Sequence, residues 1–111
     1  MKSENKLQSE CIQWCWNERP NTRGLVCYNL NNSKNKIDGM MNKALGLIKG
    51  RADITFYWSG NAYFIEMKTE MGKQREEQIK WQQVVEGNGF KYYVCRSLEE
   101  FKEIIDSILK L

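Results

Sequence analysis

Apolar side chains recur at helical spacing near the beginning of the chain and again at its end. Residues 4–18 predict a first helix, with Ser3 as its N-cap and Pro20 as the residue that stops it. Ser97 and Glu100 form a capping-box pattern that begins a last helix. The buried stripes of the two helices are expected to be Leu7, Cys11, Trp14 and Cys15, and Leu98, Phe101, Ile105 and Ile108. Both helices should therefore pack one face against a core.

Short runs of β-branched and aromatic residues between these helices predict four strands. The strands are residues 25–28, about 53–58, about 61–67 and 91–95. Two more helices are predicted, a short one over 38–45 that ends at Gly46 and a longer one over about 75–87. The longer helix joins the third strand to the fourth, which allows these strands to run parallel. We therefore expect one domain, residues 1–111, with an α/β fold in which α-helices flank a central mixed four-stranded β-sheet.

The register of the hairpin formed by the second and third strands depends on its turn. If Ser59-Gly60 is a two-residue loop, Asp53 lies directly opposite Glu66 at the end of the hairpin away from the turn. A three-residue loop would shift the register by one residue, and Glu66 would then oppose Ile54. We adopt the two-residue loop as the prediction.

Two opposed carboxylates destabilise a sheet unless positive charge lies near them. Lys68 shares a strand face with Glu66, and a divalent cation is a further partner, because Mg²⁺ takes one or two carboxylates together with water and phosphate oxygens. The alternative is a solvated strand end with an exposed ion pair, and spacing alone does not separate the two. The tripeptide Glu-x-Lys occurs three times in the chain, so by itself it indicates little.

The composition excludes some kinds of catalytic site, but it says little about which molecules the protein binds. The chain has 17 Lys and Arg residues and 14 Asp and Glu residues, so its net charge of +3 favours anionic partners only weakly. Histidine is absent, which excludes catalytic triads and dyads built on histidine. The four cysteines form no CxxC pair, and we interpret Cys11 and Cys15, which lie on the apolar stripe of the first helix, as buried free thiols rather than zinc ligands or disulfides. We find no signal peptide and no membrane-spanning run, and therefore expect a cytoplasmic protein.

A family resemblance is carried by two segments, LGLIKGRADI and FIEMKTEMGKQREEQIKWQQVVEGNGFKYYVCRSLEEF. They resemble the virus-type replication-repair nuclease (VRR-NUC) domain, a branch of the PD-(D/E)XK nuclease superfamily. The resemblance spans nearly the whole chain, and it implies a restriction-endonuclease-like fold and a metal-dependent DNA endonuclease that hydrolyses phosphodiester bonds. Ala52 stands where the family has a proline, and alanine can adopt the same extended conformation.

The resemblance also implies roles for individual residues. The catalytic residues that it implies are Asp53, Glu66, Lys68 and Gln78. The ligands that it implies for Mg²⁺ or Mn²⁺ are Glu10, Asp53, Glu66 and the backbone carbonyl of Met67. Lys68 would orient the attacking water or stabilise charge on the phosphate, and Gln78 would hydrogen-bond the water, the phosphate or Lys68. Without the resemblance, Gln78 would be interpreted as a polar residue on a helix edge.

Basic residues around these motifs are expected to contact the phosphate backbone of DNA. They are Lys34, Lys36, Lys43, Lys49, Arg51, Lys73 and Arg75. Each of them taken singly also fits a solvated surface charge. Stand-alone viral members of the family imply a homodimer that acts on branched or Holliday-junction-like DNA, and a phage-encoded origin. A non-catalytic nucleic-acid-binding module and a soluble interaction protein are the alternatives, and RNA is an alternative substrate.

Overall fold

The computed structural model describes residues 2–31 and 36–111, and its elements follow the predicted order. The helices are α1 (Glu4–Glu18), α2 (Lys36–Ala44), α3 (Glu76–Gly87) and α4 (Leu98–Leu109). The strands are β1 (Val26–Tyr28), β2 (Ile54–Trp58), β3 (Asn61–Met67) and β4 (Lys91–Cys95). A short 3₁₀ turn, Pro20–Thr22, follows α1 and was not predicted.

The caps of the helices agree with the sequence signals. The Ser3 hydroxyl accepts a hydrogen bond from the backbone N–H of Lys6, which satisfies one of the unpaired donors at the start of α1. The Ser97 hydroxyl does the same for Glu100 at the start of α4. Gly46 follows α2 with φ of 98°, the left-handed conformation that commonly ends a helix. The predicted helix boundaries are therefore confirmed to within two residues.

The four strands form one mixed sheet in the order β1-β2-β3-β4. The β1–β2 and β2–β3 pairs are antiparallel, whereas β4 runs parallel to β3 after the crossover through α3. This arrangement confirms the predicted mixed sheet.

The turn of the β2–β3 hairpin has two residues, as predicted. Trp58 pairs with Asn61, and Ser59 and Gly60 between them have φ of 51° and 82°. Positive φ at both central residues is what a type I′ turn requires, and this turn matches the natural twist of the strands. The register is therefore the one that brings Asp53 opposite Glu66, beyond the last ladder pair.

Helices cover both faces of the sheet. On one face, α1 and α4 pack on β2 and β3 around a core that includes Cys11, Phe56, Ile65, Met67, Phe101 and Ile105. On the other face, α3 contributes Trp81 and Val85 to a smaller cluster with Ala52, Phe64 and Tyr92. Because both faces are covered, the odd and even positions of β3 are both buried, and Glu66 lies on the α3 side.

The predicted buried stripe of α1 differs from the structure at one residue, a tryptophan. Cys11 and Cys15 are buried free thiols, as expected. Trp14, by contrast, is only partly buried at the edge of the core, where its ring packs edge-on against Phe101. The guanidinium of Arg19 lies 4.8 Å from the centre of the Trp14 ring and shields its outer face, so the tryptophan needs no deeper burial.

A bidentate ion pair ties the end of α1 to α4. The Arg19 guanidinium donates to both carboxylate oxygens of Asp106 at 2.8 and 3.0 Å. Such paired geometry adds specificity to an otherwise solvent-screened interaction. In the part of the chain that the structure describes, no helix is both long enough and apolar enough to cross a membrane.

Gly50 fixes the distance between the segment before β2 and the first turn of α3. Its φ is 90°, and a Cβ atom added there would lie 2.5 Å from the backbone oxygen of Glu77. Neither the conformation nor the space admits a side chain. Gly50 therefore allows the chain that leads into Asp53 to lie directly against α3.

We expect Gly50→Ala to lower the free energy of unfolding by about 3 kcal/mol, because it combines a left-handed conformation with a backbone clash. Gly24→Ala is the matched control, since Gly24 has φ of 82° and open space around it. That control should cost about 1 kcal/mol, the conformational part alone. Urea denaturation of both variants measures the difference, and equal losses would contradict the close packing on α3.

Candidate metal and active site

Asp53 and Glu66 lie where the β2–β3 hairpin ends away from its turn. Asp53 directly precedes β2, and Glu66 is the next-to-last residue of β3. The backbone N–H of Met67 donates to Asp53 Oδ2 at 2.7 Å, in place of a further backbone bond between the strands. The Asp53 carboxylate therefore bridges the two strands at the point where their ladder ends.

Two asparagines in the polar loop after β1 hold the chain around Asp53. Asn31 donates from its side-chain amide to Asp53 Oδ1 at 3.1 Å and to the carbonyl of Arg51 at 2.8 Å. Asn29 is buried, and it donates from its side chain to the carbonyl of Ala52 and from its backbone N–H to the carbonyl of Asp53. Sequence reasoning treated both only as loop residues, although the cluster of asparagines in NLNN was a signal of side-chain bonding to backbone.

The protein environment disfavours the ionised form of Asp53. Burial raises the pKa of the Asp53 carboxyl above its usual value, and hydrogen bonds from Met67 and Asn31 oppose this rise. The charge of Glu66 raises the pKa further, while Lys68 lowers it. Burial prevails, so additional positive charge at this place would favour the carboxylate.

The Glu66 carboxylate is almost fully buried and its two oxygens differ. The residue is 1% exposed. Its Oε1 accepts hydrogen bonds from the hydroxyl of Tyr92 at 2.5 Å and from the side-chain amide of Gln74 at 3.0 Å. Its Oε2 has no hydrogen-bond donor among the residues that the structure describes. A buried oxygen left without a donor costs about 1–3 kcal/mol or more, which favours a cation as its partner.

Lys68 follows β3 and is the cation nearest in sequence to Glu66. It is 5% exposed, and its ammonium lies 3.7 Å from Glu66 Oε2, within ion-pair range but beyond a hydrogen bond. The backbone N–H of Lys68 donates to the carbonyl of Cys95, so β4 fixes the position of the residue. Asp53, Glu66 and Lys68 are thus brought together as predicted from the hairpin register.

The loop between β3 and α3 supplies a residue that sequence reasoning missed. Gln74 donates from one amide nitrogen to Glu66 and also to the side-chain oxygen of Gln82 on α3, at 2.8 Å. Arg96 holds the same loop by donating to the carbonyls of Thr69 and Gly72. Gln74 was visible only as one polar residue of a turn, and nothing in its spacing indicated the contact.

Tyr92 on β4 is the second residue that sequence reasoning missed. It is buried beside Trp81 of α3, with ring centres 6.0 Å apart. Burial, the hydrogen bond to Glu66 and the charge of Glu66 raise its pKa well above the usual tyrosine value. The hydroxyl therefore stays protonated and donates to the carboxylate.

Gln78 is buried at the N-terminus of α3. Its side-chain oxygen accepts a hydrogen bond from the backbone N–H of Arg75 at 2.7 Å. This contact satisfies a backbone N–H that would otherwise be unpaired at the helix N-terminus, so Gln78 also stabilises the start of α3. Its catalytic role stays a prediction.

Glu10 is not brought together with Asp53 and Glu66. It lies on α1, which packs on the sheet face opposite to Glu66, and its carboxylate pairs with the ammonium of Lys2 at 2.7 Å. Over residues 2–31 and 36–111, no three His, Cys, Asp or Glu side chains form a group able to hold a metal ion. The site as described offers two carboxylates, and the ligand roles of Glu10 and of the Met67 carbonyl stay predictions.

Six of the seven predicted phosphate-contacting residues lie in the part of the chain that the structure describes. Lys34 lies outside the described residues, and Lys36 is the first residue of α2. The exposed residues of the set are Lys43, Lys49, Lys73 and Arg75, whereas Arg51 is partly buried. The Arg75 guanidinium already pairs with Glu77 at 3.3 Å. Their contact with nucleic acid stays a prediction.

Comparison with known proteins points to one family. The sequence model of the VRR-NUC domain matches residues 2–99, most of the chain. A solved structure described as a VRR_NUC domain protein superposes with a TM-score of 0.78 and 17% sequence identity, covering 100% of this chain and 93% of that one. The TM-score shows that the two chains share a fold, which confirms the expected fold class, a mixed four-stranded sheet flanked by helices. No curated protein sequence gives a significant match.

Proposed function

Because the chain belongs to the VRR-NUC domain family, we propose that it is a metal-dependent endonuclease that hydrolyses phosphodiester bonds in DNA. The observation that carries this proposal is the buried Glu66 carboxylate, whose Oε2 has no donor among the described residues and lies beside Lys68 and Asp53. A buried, incompletely paired carboxylate in a nuclease-fold domain is the arrangement expected of a metal ligand.

The residues present fit Mg²⁺ or Mn²⁺. Asp53 and Glu66 would hold the ion as carboxylate ligands, and the carbonyl of Met67 and the Glu10 carboxylate are the further ligands that we propose. The orphaned Glu66 Oε2 and the raised pKa of Asp53 both favour added positive charge between the two side chains. When bound, such an ion polarises the scissile phosphate and lowers the pKa of a bound water.

Lys68 would act on the phosphate or on the attacking water. Its backbone is held by β4 and its ammonium lies 3.7 Å from Glu66 Oε2, so the side chain is already directed to the site before substrate binds. Gln78 lies buried at the start of α3, close in the chain to the loop that carries Gln74. We propose that the free part of its amide hydrogen-bonds the water or the phosphate, while its oxygen caps the helix.

We propose branched or Holliday-junction-like DNA as the substrate, with the exposed basic residues Lys43, Lys49 and Lys73 contacting phosphates. A non-catalytic nucleic-acid-binding module that kept the fold is the second candidate. The proximity of Asp53 and Lys68 to the buried Glu66 carboxylate favours the nuclease, since a binding module has no use for a buried carboxylate oxygen without a hydrogen-bond donor.

We expect the protein to cut duplex, flap or four-way-junction DNA with Mg²⁺ or Mn²⁺ and not with EDTA. Asp53→Ala and Lys68→Ala should each lower the cleavage rate at least about 100-fold, because each removes charge stabilisation at the reacting phosphate. Gel assays on the three DNA structures, with the matching RNA, measure rate and preference.

Lys80→Ala is the control for these variants, since Lys80 is exposed on α3 and pairs only with Glu76 in the described structure. Its cleavage rate should equal that of the wild type. Cleavage that persists in both Asp53→Ala and Lys68→Ala would refute the assignment of the site. Metal-independent binding without cleavage would favour the binding module.

We expect Mn²⁺ to stabilise the wild-type protein and to lose most of this effect in Glu66→Ala. At a Mn²⁺ concentration 100 times the dissociation constant, ligand linkage adds about 2.7 kcal/mol. For a domain of this size the melting temperature should rise by about 10 °C or more. Differential scanning calorimetry measures the shift, with Glu86→Ala as a control on the exposed face of α3.

Equal shifts in wild type and Glu66→Ala would show that Glu66 is not a ligand. Glu10→Ala is tested in the same titration. A reduced shift would support Glu10 as a ligand that approaches on metal binding, and an unchanged shift would restrict the site to Asp53, Glu66 and the Met67 carbonyl.

We also propose that the protein is a homodimer. Four apolar side chains on and after α2 are strongly exposed: Ile37, Met40, Met41 and Leu45. Four strongly exposed apolar side chains so close together in the sequence are unusual for a monomer and suit an interface between two copies.

Light scattering should give twice the chain mass of 13.1 kDa. Met40→Glu should shift the protein toward the monomer, because a charge would be buried in the interface. Met71→Glu is the control, as Met71 is similarly exposed in the loop between β3 and α3. A monomeric wild type would disprove the dimer, and an unchanged dimer in Met40→Glu would move the interface elsewhere.

A further inference from the structure

The two oxygens of Glu66 have different surroundings, and this asymmetry is built by two separate elements. Oε1 accepts from Tyr92 of β4 and from Gln74 of the β3–α3 loop. Oε2 accepts from no described residue and faces the Lys68 ammonium at 3.7 Å. One oxygen is thus fully engaged by the protein while the other is left for a partner.

Both donors to Oε1 are themselves held in place. Tyr92 is 8% exposed, and its ring packs against Trp81 within the small apolar cluster on the α3 side. Gln74 donates in addition to Gln82, so its amide is fixed by α3 as well as by Glu66. Neither donor can turn away without losing a second contact.

The Tyr92 hydroxyl is not needed to fill space in the core. Its ring belongs to a cluster with Phe64, Ala52 and Trp81, where a phenylalanine would fill the same volume. The hydroxyl is therefore a polar group placed in an apolar layer, and it donates its hydrogen bond to Glu66. Because burying a polar group is costly unless it is paired, its position is best explained by what it does to the carboxylate.

We propose that Tyr92 and Gln74 are positioning residues that orient the Glu66 carboxylate, so that Oε2 alone is presented to the metal ion. This inference rests on the proposed function. Partners behind a ligating carboxylate fix its direction, and their loss typically weakens metal affinity by about 10- to 100-fold. Without the two donors, the carboxylate can rotate, and either oxygen can turn toward Lys68.

The test is Mn²⁺ binding to the full chain without DNA, measured by isothermal titration calorimetry on Tyr92→Phe and Gln74→Met. Each variant removes only the donor and keeps the approximate size of the side chain. We expect the dissociation constant to rise about 10- to 100-fold in each. Tyr93→Phe and Gln83→Met are the matched controls, on β4 facing the other core and on the exposed side of α3. Both controls should stay within about twofold of wild type.

A second measurement separates positioning from folding. Circular dichroism in EDTA gives the melting temperature of each variant, and the titrations are made where every variant is fully folded. A merely structural role predicts a lower melting temperature with an unchanged Mn²⁺ dissociation constant, and that result overturns the inference.

The outcomes distinguish this inference from the function on which it rests. If the wild type binds no Mn²⁺ and does not cleave DNA, the proposed function fails and the inference fails with it. If the wild type binds and cleaves while Tyr92→Phe and Gln74→Met bind equally well, the inference alone fails. Weakened binding in both variants, with unchanged controls, supports it.

Discussion

The pairing register between β2 and β3 decides which side chains reach which face of the sheet. Because side chains alternate between faces, a slip of one residue would turn Glu66 from the α3 side toward the face that α1 and α4 cover. The turn fixes this register at one end, since Ser59 and Gly60 both adopt the left-handed conformation. The hydrogen bond from the Met67 backbone to the Asp53 carboxylate closes the other end. A side chain of the candidate site therefore also completes the hairpin.

The protein holds two carboxyl groups at this end of the sheet, and its own contacts satisfy them only in part. Glu66 is 1% exposed, yet one of its oxygens lacks a donor among the described residues. Burial also raises the pKa of Asp53, although two hydrogen bonds act in the opposite direction. Each feature costs stability, and natural proteins retain such costs mainly where function requires them. The surrounding layers, packed on both faces, supply the stability that offsets them.

Local sequence signals were sufficient to predict the strands that carry the acidic residues of the site and how these strands pair. The two-residue turn, the alternation of β3 and the helix between β3 and β4 predicted the opposed Asp53 and Glu66 and the parallel β4, all of which the structure shows. Each of these features is determined by residues that are close together in the sequence. Glu10 is different, because its proposed role came from the family resemblance, and α1 lies on the other face of the sheet. Trp14 was likewise predicted to be buried from its place in the helical stripe, but it is only partly buried, and the Arg19 guanidinium covers its outer face.

The residues that orient the carboxylates required the tertiary structure. Tyr92 lies 26 residues from Glu66 in the chain, and Asn31 lies 22 residues from Asp53. Tyr92 and Tyr93 are adjacent in the sequence and equally suited to a strand, so the pattern does not tell which of them faces Glu66. The parallel register pairs Tyr92 with Phe64, and this register depends on where α3 and its flanking loops deliver the chain to β4. The connection through α3 therefore decides which tyrosine of β4 reaches the Glu66 carboxylate. A substitution in α3 that shifts β4 can thus disturb the site although Asp53 and Glu66 are unchanged.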